Sequence, residues 1–454
     1  MKKKIITFVL LLVLTVSPGL VTGCERTDVA AVKRTVSEQR ISSLTSFSEV
    51  RKSSNIVADS IRVSPDNRRI VYVAKNGNRM QIVINETKGK EYDEIKIGAR
   101  SPTFSPDGKH VAYSAYSADS GKWFVVADGV EGKPYDYINS NSLVFSPDGN
   151  RIAYEASVVP VASGTKYYAV VDGVEGNQYD DILTISFSPD SKRVAYEAIR
   201  SGNRHFTVID GVEGKQYESA EGIVFSPDSK RVVYRAMVNK KMHVVIDGVE
   251  EPYGLGDERI NFSPDSKRLA YIAIEGNQRF AVLDGIAGKQ YDAVSPPVFS
   301  PDSQHVAYRA LAGNANFIVV DGVEKADQYG SSFIVGPGAA LFFSPDSKRL
   351  AYVAITAVNK WSLVVDGVAG KQYDFIYRPV FSPDSKHIAY MATMGGWSAV
   401  IDGTEGQRYA DIGRPIAEGS PTIVYDSIIF DSSNRLHYLV AKEDGIYLVE
   451  ETIR

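Results

Sequence analysis

The sequence predicts an all-β protein, a β-propeller of four-stranded antiparallel blades. The pattern Phe-Ser-Pro-Asp-Ser/Gly-Lys, followed by an apolar stretch ending in Tyr, runs through the chain in ten copies. Successive tyrosines of this pattern are 37 to 44 residues apart, with 48 before the last. A period of about 40 residues with strand-like content is typical of propeller blades. The repeat therefore predicts a scaffold, and no catalytic motif stands out above it.

The copies keep a fixed internal spacing. In nine of them a Tyr lies eight residues after the Ser of Ser-Pro-Asp, and the tenth is a degenerate copy from Phe430 to Tyr438. The nine tyrosines are Tyr72, Tyr113, Tyr154, Tyr196, Tyr234, Tyr271, Tyr308, Tyr352 and Tyr390. A second Tyr recurs near the end of most copies, as at Tyr291 and Tyr373. We therefore expect most tyrosines to pack between blades.

One copy serves as a template for the four strands. Residues 297–299 predict a short first strand, and Ser-Pro-Asp-Ser at 300–303 predicts a turn, because Pro fixes φ while Ser and Asp bond to nearby amides. Residues 305–310 and 317–322 predict the second and third strands, and Tyr329 lies at the start of the fourth. The distance from Asp-Gly to the next Tyr varies, so we expect the last turn at Glu-Gly-Lys rather than at Asp-Gly.

The two ends of the repeat region predict how the propeller closes. The tenth copy supplies three strands, at 427–430, 435–440 and 446–450, and lacks a fourth. We expect residues 46–58 to provide it, so that residues 46–454 form one closed ring of ten blades, since closure removes exposed strand edges. Two five-bladed rings are the alternative.

The amino-terminal segment predicts export. Lys2 to Lys4 precede an apolar run over residues 5–16, which is short for a membrane span. The run leads into Val-Thr-Gly-Cys24, the one Cys of the chain. This segment resembles the bacterial lipoprotein signal, which implies cleavage after residue 23 and acylation of Cys24. Residues 24–45 are polar and predict a tether, with a short helix near 29–39 as one option.

The resemblance implies an address in the bacterial cell envelope, outside the cytoplasm. In Gram-negative bacteria Glu25 after the Cys favours the outer membrane and periplasm over the inner membrane. Cleavage removes three Lys and no acid, so the net charge changes from −4 to −7. An acidic protein has no electrostatic reason to bind nucleic acid. The membrane, through lipid on Cys24, is the first expected partner.

The repeat itself resembles the WD-like propeller repeat of TolB and of prolyl oligopeptidase relatives, over about residues 46–454. The resemblance implies the fold rather than an activity. TolB carries a separate α/β domain, for which residues 24–45 are too few. The oligopeptidases carry a hydrolase domain, and this chain contains no Gly-x-Ser-x-Gly element.

Metal and cofactor sites are not predicted. His110, His305 and His387 fill a slot that holds Arg in other copies, and the three remaining histidines lie in other blades, without ligand spacing. We expect all six to be exposed surface residues. The Ser-Pro-Asp aspartates are interpreted as turn residues, because a calcium loop concentrates several oxygen ligands.

A candidate partner-binding face follows from loop diversity. The Ser-Pro-Asp and Val-Glu-Gly-Lys turns are monotonous, whereas the segments on the opposite face vary, at 157–166, 254–259, 331–340 and 413–422. Recognition is usually placed on such loops, with aromatic and Arg anchors. The candidate residues are Trp123, Tyr167, Trp361, Tyr377, Arg378, Trp397 and Arg414. The other interpretation is that each aromatic side chain packs its blade against the next.

The sequence thus predicts a membrane-anchored propeller that binds a protein or a glycan in the cell envelope. The alternative is a glycan-cleaving or other hydrolytic propeller. An enzyme is not expected, because the first strands carry mainly Val, Phe, Ile, Ser and Pro where a catalytic group would face the channel.

Overall fold

The computed structural model describes residues 5–7, 33–42, 55–158, 164–202, 204–327, 341–357, 360–409, 428–442 and 445–454. The protein is an all-β propeller of antiparallel sheets, as predicted. The one helical turn among these residues is the 3-10 turn Ala58–Ser60. Within the same ranges, no helix has the length and apolar character needed to cross a membrane.

In the described ranges, nine sheets contain ten repeat units, which we number 1 to 10 along the chain. The strands of units 1 to 5 are Arg62–Val63, Ile70–Asn76, Arg79–Ile84 and Thr87–Tyr92; Glu94–Lys96 with Thr103–Phe104, Val111–Ser117, Lys122–Ala127 and Val130–Glu131; Tyr137–Phe145, Ile152–Ser157, Tyr167–Val171 and Val174–Tyr179; Asp181–Phe187, Val194–Arg200, Arg204–Ile209 and Val212–Tyr217; Ala220–Phe225, Val232–Val238, Lys241–Ile246 and Val249–Phe262.

Units 6 to 10 continue the pattern. Their strands are again Val249–Phe262, then Leu269–Glu275, Gln278–Leu283 and Ile286–Ala287; Ala293–Val294 with Val298–Phe299, Val306–Ala312, Ala315–Val320 and Val323–Ala326; Phe342–Phe343, Leu350–Ala357, Lys360–Val365 and Val368–Tyr373; Phe375–Phe381, Ile388–Thr393, Trp397–Ile401 and Thr404–Tyr409; Ile429–Ser432, Arg435–Lys442, Gly445–Ile453 and Arg34–Ser42.

The Ser-Pro-Asp turn has a complete physical explanation. In unit 5 the Ser226 hydroxyl donates to Asp228 at 2.6 Å and accepts the amide of Arg231 at 2.9 Å. The residue after the Asp takes a positive φ, 64° at Ser229 and 71° at Gly108. This left-handed conformation explains why the repeat alternates between Ser and Gly at that position. The prediction that these aspartates form turns is confirmed.

The predicted position of the last turn was wrong. Ala127 pairs directly with Val130, so Asp128 and Gly129 are the two residues of a tight hairpin turn. Both have positive φ, 49° and 83°, as a type I′ turn requires. The length variation that suggested Glu-Gly-Lys is instead absorbed by bulges within the fourth strands. In unit 3 the register shifts between Tyr168 and Val170.

Tyrosines pack the units against one another, as expected. Tyr92 of unit 1 meets Tyr113 of unit 2 edge to face, with ring centroids 6.1 Å apart. Its hydroxyl donates to Glu131 of unit 2 at 2.9 Å, and Lys90 pairs with the same carboxylate. Equivalent tyrosine pairs join units 2–3, 3–4, 4–5, 6–7, 8–9 and 9–10.

Units 5 and 6 share one long strand, Val249–Phe262, which pairs with Lys241–Ile246 on one side and Leu269–Glu275 on the other. Residues 254–259 were expected to form a variable loop and instead lie inside this strand. The fourth strand of unit 5 continues directly through these residues into the first strand of unit 6, and bulges absorb the irregular spacing.

The fourth strand of unit 10 is Arg34–Ser42, and not residues 46–58 as predicted. It pairs with Gly445–Ile453 over its length. The same strand corrects two further predictions, the tether over residues 24–45 and the helix near 29–39. The strand has no apolar pattern because a fourth strand lies at the outer edge of its blade and is therefore polar. The Glu38 carboxylate accepts the Tyr409 hydroxyl at 3.1 Å, just as the Glu131 carboxylate accepts that of Tyr92. Residues 5–7 add a further strand outside it.

The described part of 46–58 belongs to unit 1. The amide of Val57 donates to the carbonyl of Val73, and Ile56 forms a bridge with Ala74. Unit 10 also contacts unit 1: the His437 ring lies 3.0 Å from the Asp66 carbonyl oxygen, and Arg68 pairs with Asp431 at 3.6 Å. These contacts join the last unit to the first, and the strand Val249–Phe262 joins units 5 and 6.

Candidate functional site

Each unit has two ends with different chemistry. We call the end with the Ser-Pro-Asp and Asp-Gly turns the turn face, and the end with the second-to-third loops and unit-to-unit connections the loop face. Because alternate strands run in opposite directions, each first and third strand begins at the loop face. Trp123, Tyr167, Trp361 and Trp397 lie at the first or second residue of their third strands, and therefore at the loop face.

Signature side chains of the turn face are bonded between units. The Arg193 guanidinium pairs with Asp210 of its own unit at 2.8 Å and donates to the Ser229 carbonyl of the next at 3.0 Å. It also lies 5.4 Å from the ring centroid of Phe225. The same reach across a unit boundary is made by Arg69, Arg151, Arg268 and Arg349. These charges hold the scaffold together.

Histidines occupy the same turn-face slot in three units. His110, His305 and His387 each place Nδ1 2.6 to 2.7 Å from the aspartate of their Asp-Gly turn, so they replace the Arg of other units. Not all six histidines are exposed, however. His437 is buried between units 10 and 1, where Asp431 lies 2.9 Å from its Nδ1. The described residues contain no group of three or more His, Cys, Asp or Glu suited to a metal ion.

A first aromatic cluster forms where units 2 and 3 meet at the loop face. The Lys96 ammonium lies 4.8 Å from the ring centroid of Trp123 and 5.4 Å from that of Tyr137. Trp123 also packs on Tyr116, and Tyr137 meets Tyr167 edge to face at 5.9 Å. Two of the predicted residues, Trp123 and Tyr167, are thus brought into one neighbourhood. We call these five residues the Lys96 cluster.

A second cluster forms where units 8 and 9 meet. Phe375 packs on Trp361 at 5.0 Å, on Trp397 at 6.3 Å and on Tyr377 at 6.5 Å. The exposed Arg378 guanidinium lies 5.4 Å from the Tyr377 ring. All four aromatic side chains are half-buried, and Trp361, Tyr377 and Trp397 also contact the hydrophobic cores. These five residues, the Phe375 cluster, unite four of the predicted ones.

Carboxyl groups are buried in the second strands of units 3 and 4, at Glu155 and Glu197. Burial raises the pKa of Glu155 from 4.5 to about 7, although a hydrogen bond from Asn139 opposes the shift. The same cause raises the pKa of Glu197 to about 7, against a bond from the Gly222 amide of unit 5. Burial also raises the pKa of Tyr137 and of Tyr167, with Glu155 contributing to both. These carboxyl and phenol groups therefore resist ionisation.

Cys24 and Arg414 lie outside the described residues, as do 331–340 and 413–422. Sequence reasoning missed Lys96, Tyr137 and Phe375. Tyr137 and Phe375 both occupy the second position after the strand-four Tyr, a slot that holds Glu94, Asp181 and Ala293 elsewhere. Aligning the copies on that Tyr would have shown a variable position that admits aromatic residues.

No protein-family model matches the chain, and no curated protein matches it. Several solved structures are similar. A crystal structure of a eukaryotic initiation factor gives a TM-score of 0.44 at 15% identity, over 76% of this chain and 96% of that one. The β-propeller domain of the Trilobed protease from Pyrococcus furiosus gives 0.28 at 16% identity, over 60% and 97%. The hydrazine synthase of Kuenenia stuttgartiensis gives 0.29 at 14% identity, over 67% and 94%.

Proposed function

We propose that this protein is a binding scaffold of the bacterial cell envelope, anchored by lipid on Cys24, which holds a protein or glycan partner on its loop face. One contrast carries the proposal. Turn-face arginines are occupied by bonds between units, whereas the loop face presents two clusters of half-buried aromatic rings, each with a cation over a ring. Aromatic side chains, above all Trp and Tyr, together with Arg are the groups that dominate binding energy at interfaces.

The Phe375 cluster is the stronger candidate for the contact. Its rings are fixed by packing between units 8 and 9, so binding would cost little side-chain entropy. Arg378 is exposed and lies in the first strand of unit 9, at a positive φ of 35°. Backbone held in this region is a feature that often accompanies functional positions.

A hydrolytic function is the alternative, and the raised pKa values of Glu155 and Glu197 are the observation in its favour, since perturbed carboxyl groups cluster at catalytic sites. Against it, each carboxylate is already bonded to a first strand, Glu155 to Asn139 and Glu197 to Gly222. Such bonds are expected of packing groups.

The test is a crosslinking pull-down from cell envelopes with the full-length protein, together with a glycan array. The double variant Trp361→Ala, Trp397→Ala is compared with the turn-face control Lys230→Ala, Lys267→Ala, whose lysines are highly exposed. We expect the partner to be lost from the first variant and retained by the second. Retention by both, with the fold intact, would refute the assignment to the loop face.

The anchor is tested separately by fractionation. Two or three acyl chains anchor a protein stably, because each buried methylene contributes about 0.8 kcal/mol. Cys24→Ser is therefore expected to move the protein from the membrane to the soluble fraction. A variant that stays in the membrane fraction would contradict the lipoprotein assignment.

A further inference from the structure

The turn face has one feature that turn formation does not account for. The residue directly after each Asp-Gly turn is an exposed aliphatic side chain in seven successive units, with 62 to 74% of its surface accessible. These residues are Val130, Val174, Val212, Val249, Ile286, Val323 and Val368. We call them the aliphatic ring. Isolated exposed aliphatic residues are common, but the same exposed position in seven consecutive units calls for a shared cause.

Repeat geometry gives this ring a flat arrangement. Equivalent positions of successive propeller blades lie at the same height on one face, so the seven side chains face a common plane. Exposed lysines of the Ser-Pro-Asp turns lie on the same face, among them Lys109, Lys230, Lys267 and Lys386. Each of these four lysines pairs with the Asp of its own turn at 3.1 to 3.5 Å, so they add little net charge to the face. A planar, weakly charged surface with an aliphatic rim suits a lipid surface.

Chain direction points to the same face. Arg34 pairs with Ile453 and Ser42 with Ile446, so the strand Arg34–Ser42 starts at the end of unit 10 that holds the turn before Arg435. Lys33 therefore lies at the turn face, where its carbonyl accepts the amide of Arg454 at 2.8 Å. Lys33 follows Cys24 by only nine positions, and nine extended residues span at most about 30 Å.

We propose that the turn face lies against the membrane, with the aliphatic ring in contact with lipid and the loop face directed away from the bilayer. The proposal rests on the lipid anchor at Cys24 put forward above. Cleavage before Cys24 also removes residues 5–7, which leaves Arg34–Ser42 as the outer strand of unit 10. Contact of this kind depends on apolar area more than on charge, so it should be insensitive to salt.

The experiment uses the full-length lipidated protein in phosphatidylcholine vesicles. Cys24 is blocked by acylation, so a single new thiol can carry an environment-sensitive fluorophore, in separate variants Val174→Cys, Val212→Cys and Val368→Cys. Asn277→Cys, in the exposed second-to-third loop of unit 6, is the matched loop-face control. Nitroxide-bearing lipid is the quencher, and mass spectrometry of the amino-terminal peptide reports acylation.

We expect the three turn-face labels to be quenched about twofold or more relative to Asn277, as for side chains at the headgroup boundary, with no change at high salt. Equal quenching on both faces of an acylated protein would overturn the docking proposal and leave the anchor standing. Turn-face labels shielded from an aqueous quencher but not reached by lipid nitroxide would indicate a protein contact, and would also overturn it. An unmodified Cys24 would overturn both proposals, and the mass spectrum identifies that case.

Discussion

The turn face and the loop face are made by the same repeat and differ in what their side chains do. On the turn face Ser226 closes its turn, and Arg193 bonds to the neighbouring unit. On the loop face the equivalent positions vary. Phe375 packs on Trp361 across a unit boundary, and the Lys96 ammonium lies near the rings of Trp123 and Tyr137, which belong to two units. Uniform positions thus contain the residues that hold the units together, whereas the variable positions contain the residues that we propose for binding. Four predictions test this contrast.

The largest loss of stability is expected at Arg34, where the strand Arg34–Ser42 begins at the turn face. Arg34 donates to Glu451 at 2.9 Å and to the Thr404 carbonyl at 2.6 Å, and both charged side chains are almost fully buried. Arg34→Met leaves the Glu451 carboxylate without its cation, which should lower the free energy of unfolding by about 3–5 kcal/mol in denaturant titrations. Arg40→Met, at the exposed loop-face end of the same strand, is the control. Equal losses of stability in the two variants would contradict the difference between the turn-face end and the loop-face end of this strand.

The next effect is a pH dependence at the buried boundary between units 4 and 5. Burial raises the pKa of Glu197 from 4.5 to about 7, so between these pH values the folded protein holds a proton that the unfolded chain has lost. Stability should therefore fall as pH rises through this window. Glu197→Gln, which keeps an acceptor for the Gly222 amide, should flatten that slope and add about 2–3 kcal/mol above pH 8. Equilibrium unfolding across pH, with the exposed Glu275→Gln as control, measures it.

A smaller loss is expected from each Ser-Pro-Asp turn. Ser226→Ala leaves the partly buried Arg231 amide without its acceptor, at a cost of about 1–3 kcal/mol. Ser344→Ala in unit 8 should cost a similar amount, and the two should add, because distant sites are independent. Lys230→Ala in the same turn as Ser226 should change stability by less than about 0.5 kcal/mol. Unfolding curves that do not separate Ser226→Ala from Lys230→Ala would remove the structural explanation for the repeat.

The smallest effect on stability is expected at the loop face. Arg378→Ala removes an exposed cation from the Tyr377 ring, a contact that contributes about 0.5–1 kcal/mol. Its effect on affinity for the partner should be larger, more than about 1 kcal/mol if Arg378 is a binding anchor. Calorimetric titration of the isolated partner measures it, with Arg204→Ala in unit 4 as an exposed arginine control. An Arg378 variant that lowers stability more than affinity would reassign the residue to packing.

The repeat was readable from sequence because its residues bond locally. Ser226, Asp228 and Arg231 lie within six residues of one another, so the turn can be recognised from their spacing. The fourth strand of unit 10 was misplaced because an outer edge strand needs no apolar pattern. Its Glu38 accepts a hydrogen bond from Tyr409, 371 residues away, which local spacing cannot reveal. The hairpin at Asp128–Gly129 was also missed, although Asp-Gly is a strong turn signal, because loop-length variation was given more weight than turn chemistry.

The candidate site was predicted in part. Aligning the copies identified Trp361 and Trp397, since both occupy the same slot of neighbouring units. It could not show that Phe375 joins them, because that contact depends on how two sheets approach each other. For the same reason, Lys96 was indistinguishable from a solvated lysine until Trp123 and Tyr137 were seen on either side of it.

The pairing of the first strand with the last has a consequence for how the chain folds. Arg34 and Glu451 are 417 residues apart, and bringing such distant points together costs about 5 kcal/mol of chain entropy. Units 1 to 9 take their strands from nearby sequence, so they can form early, whereas unit 10 must wait for residues 445–453. A chain that leaves the ribosome or crosses a membrane amino end first therefore carries Arg34–Ser42 without its partner strand Gly445–Ile453 until its last residues emerge, and completing this sheet is the final step of assembly.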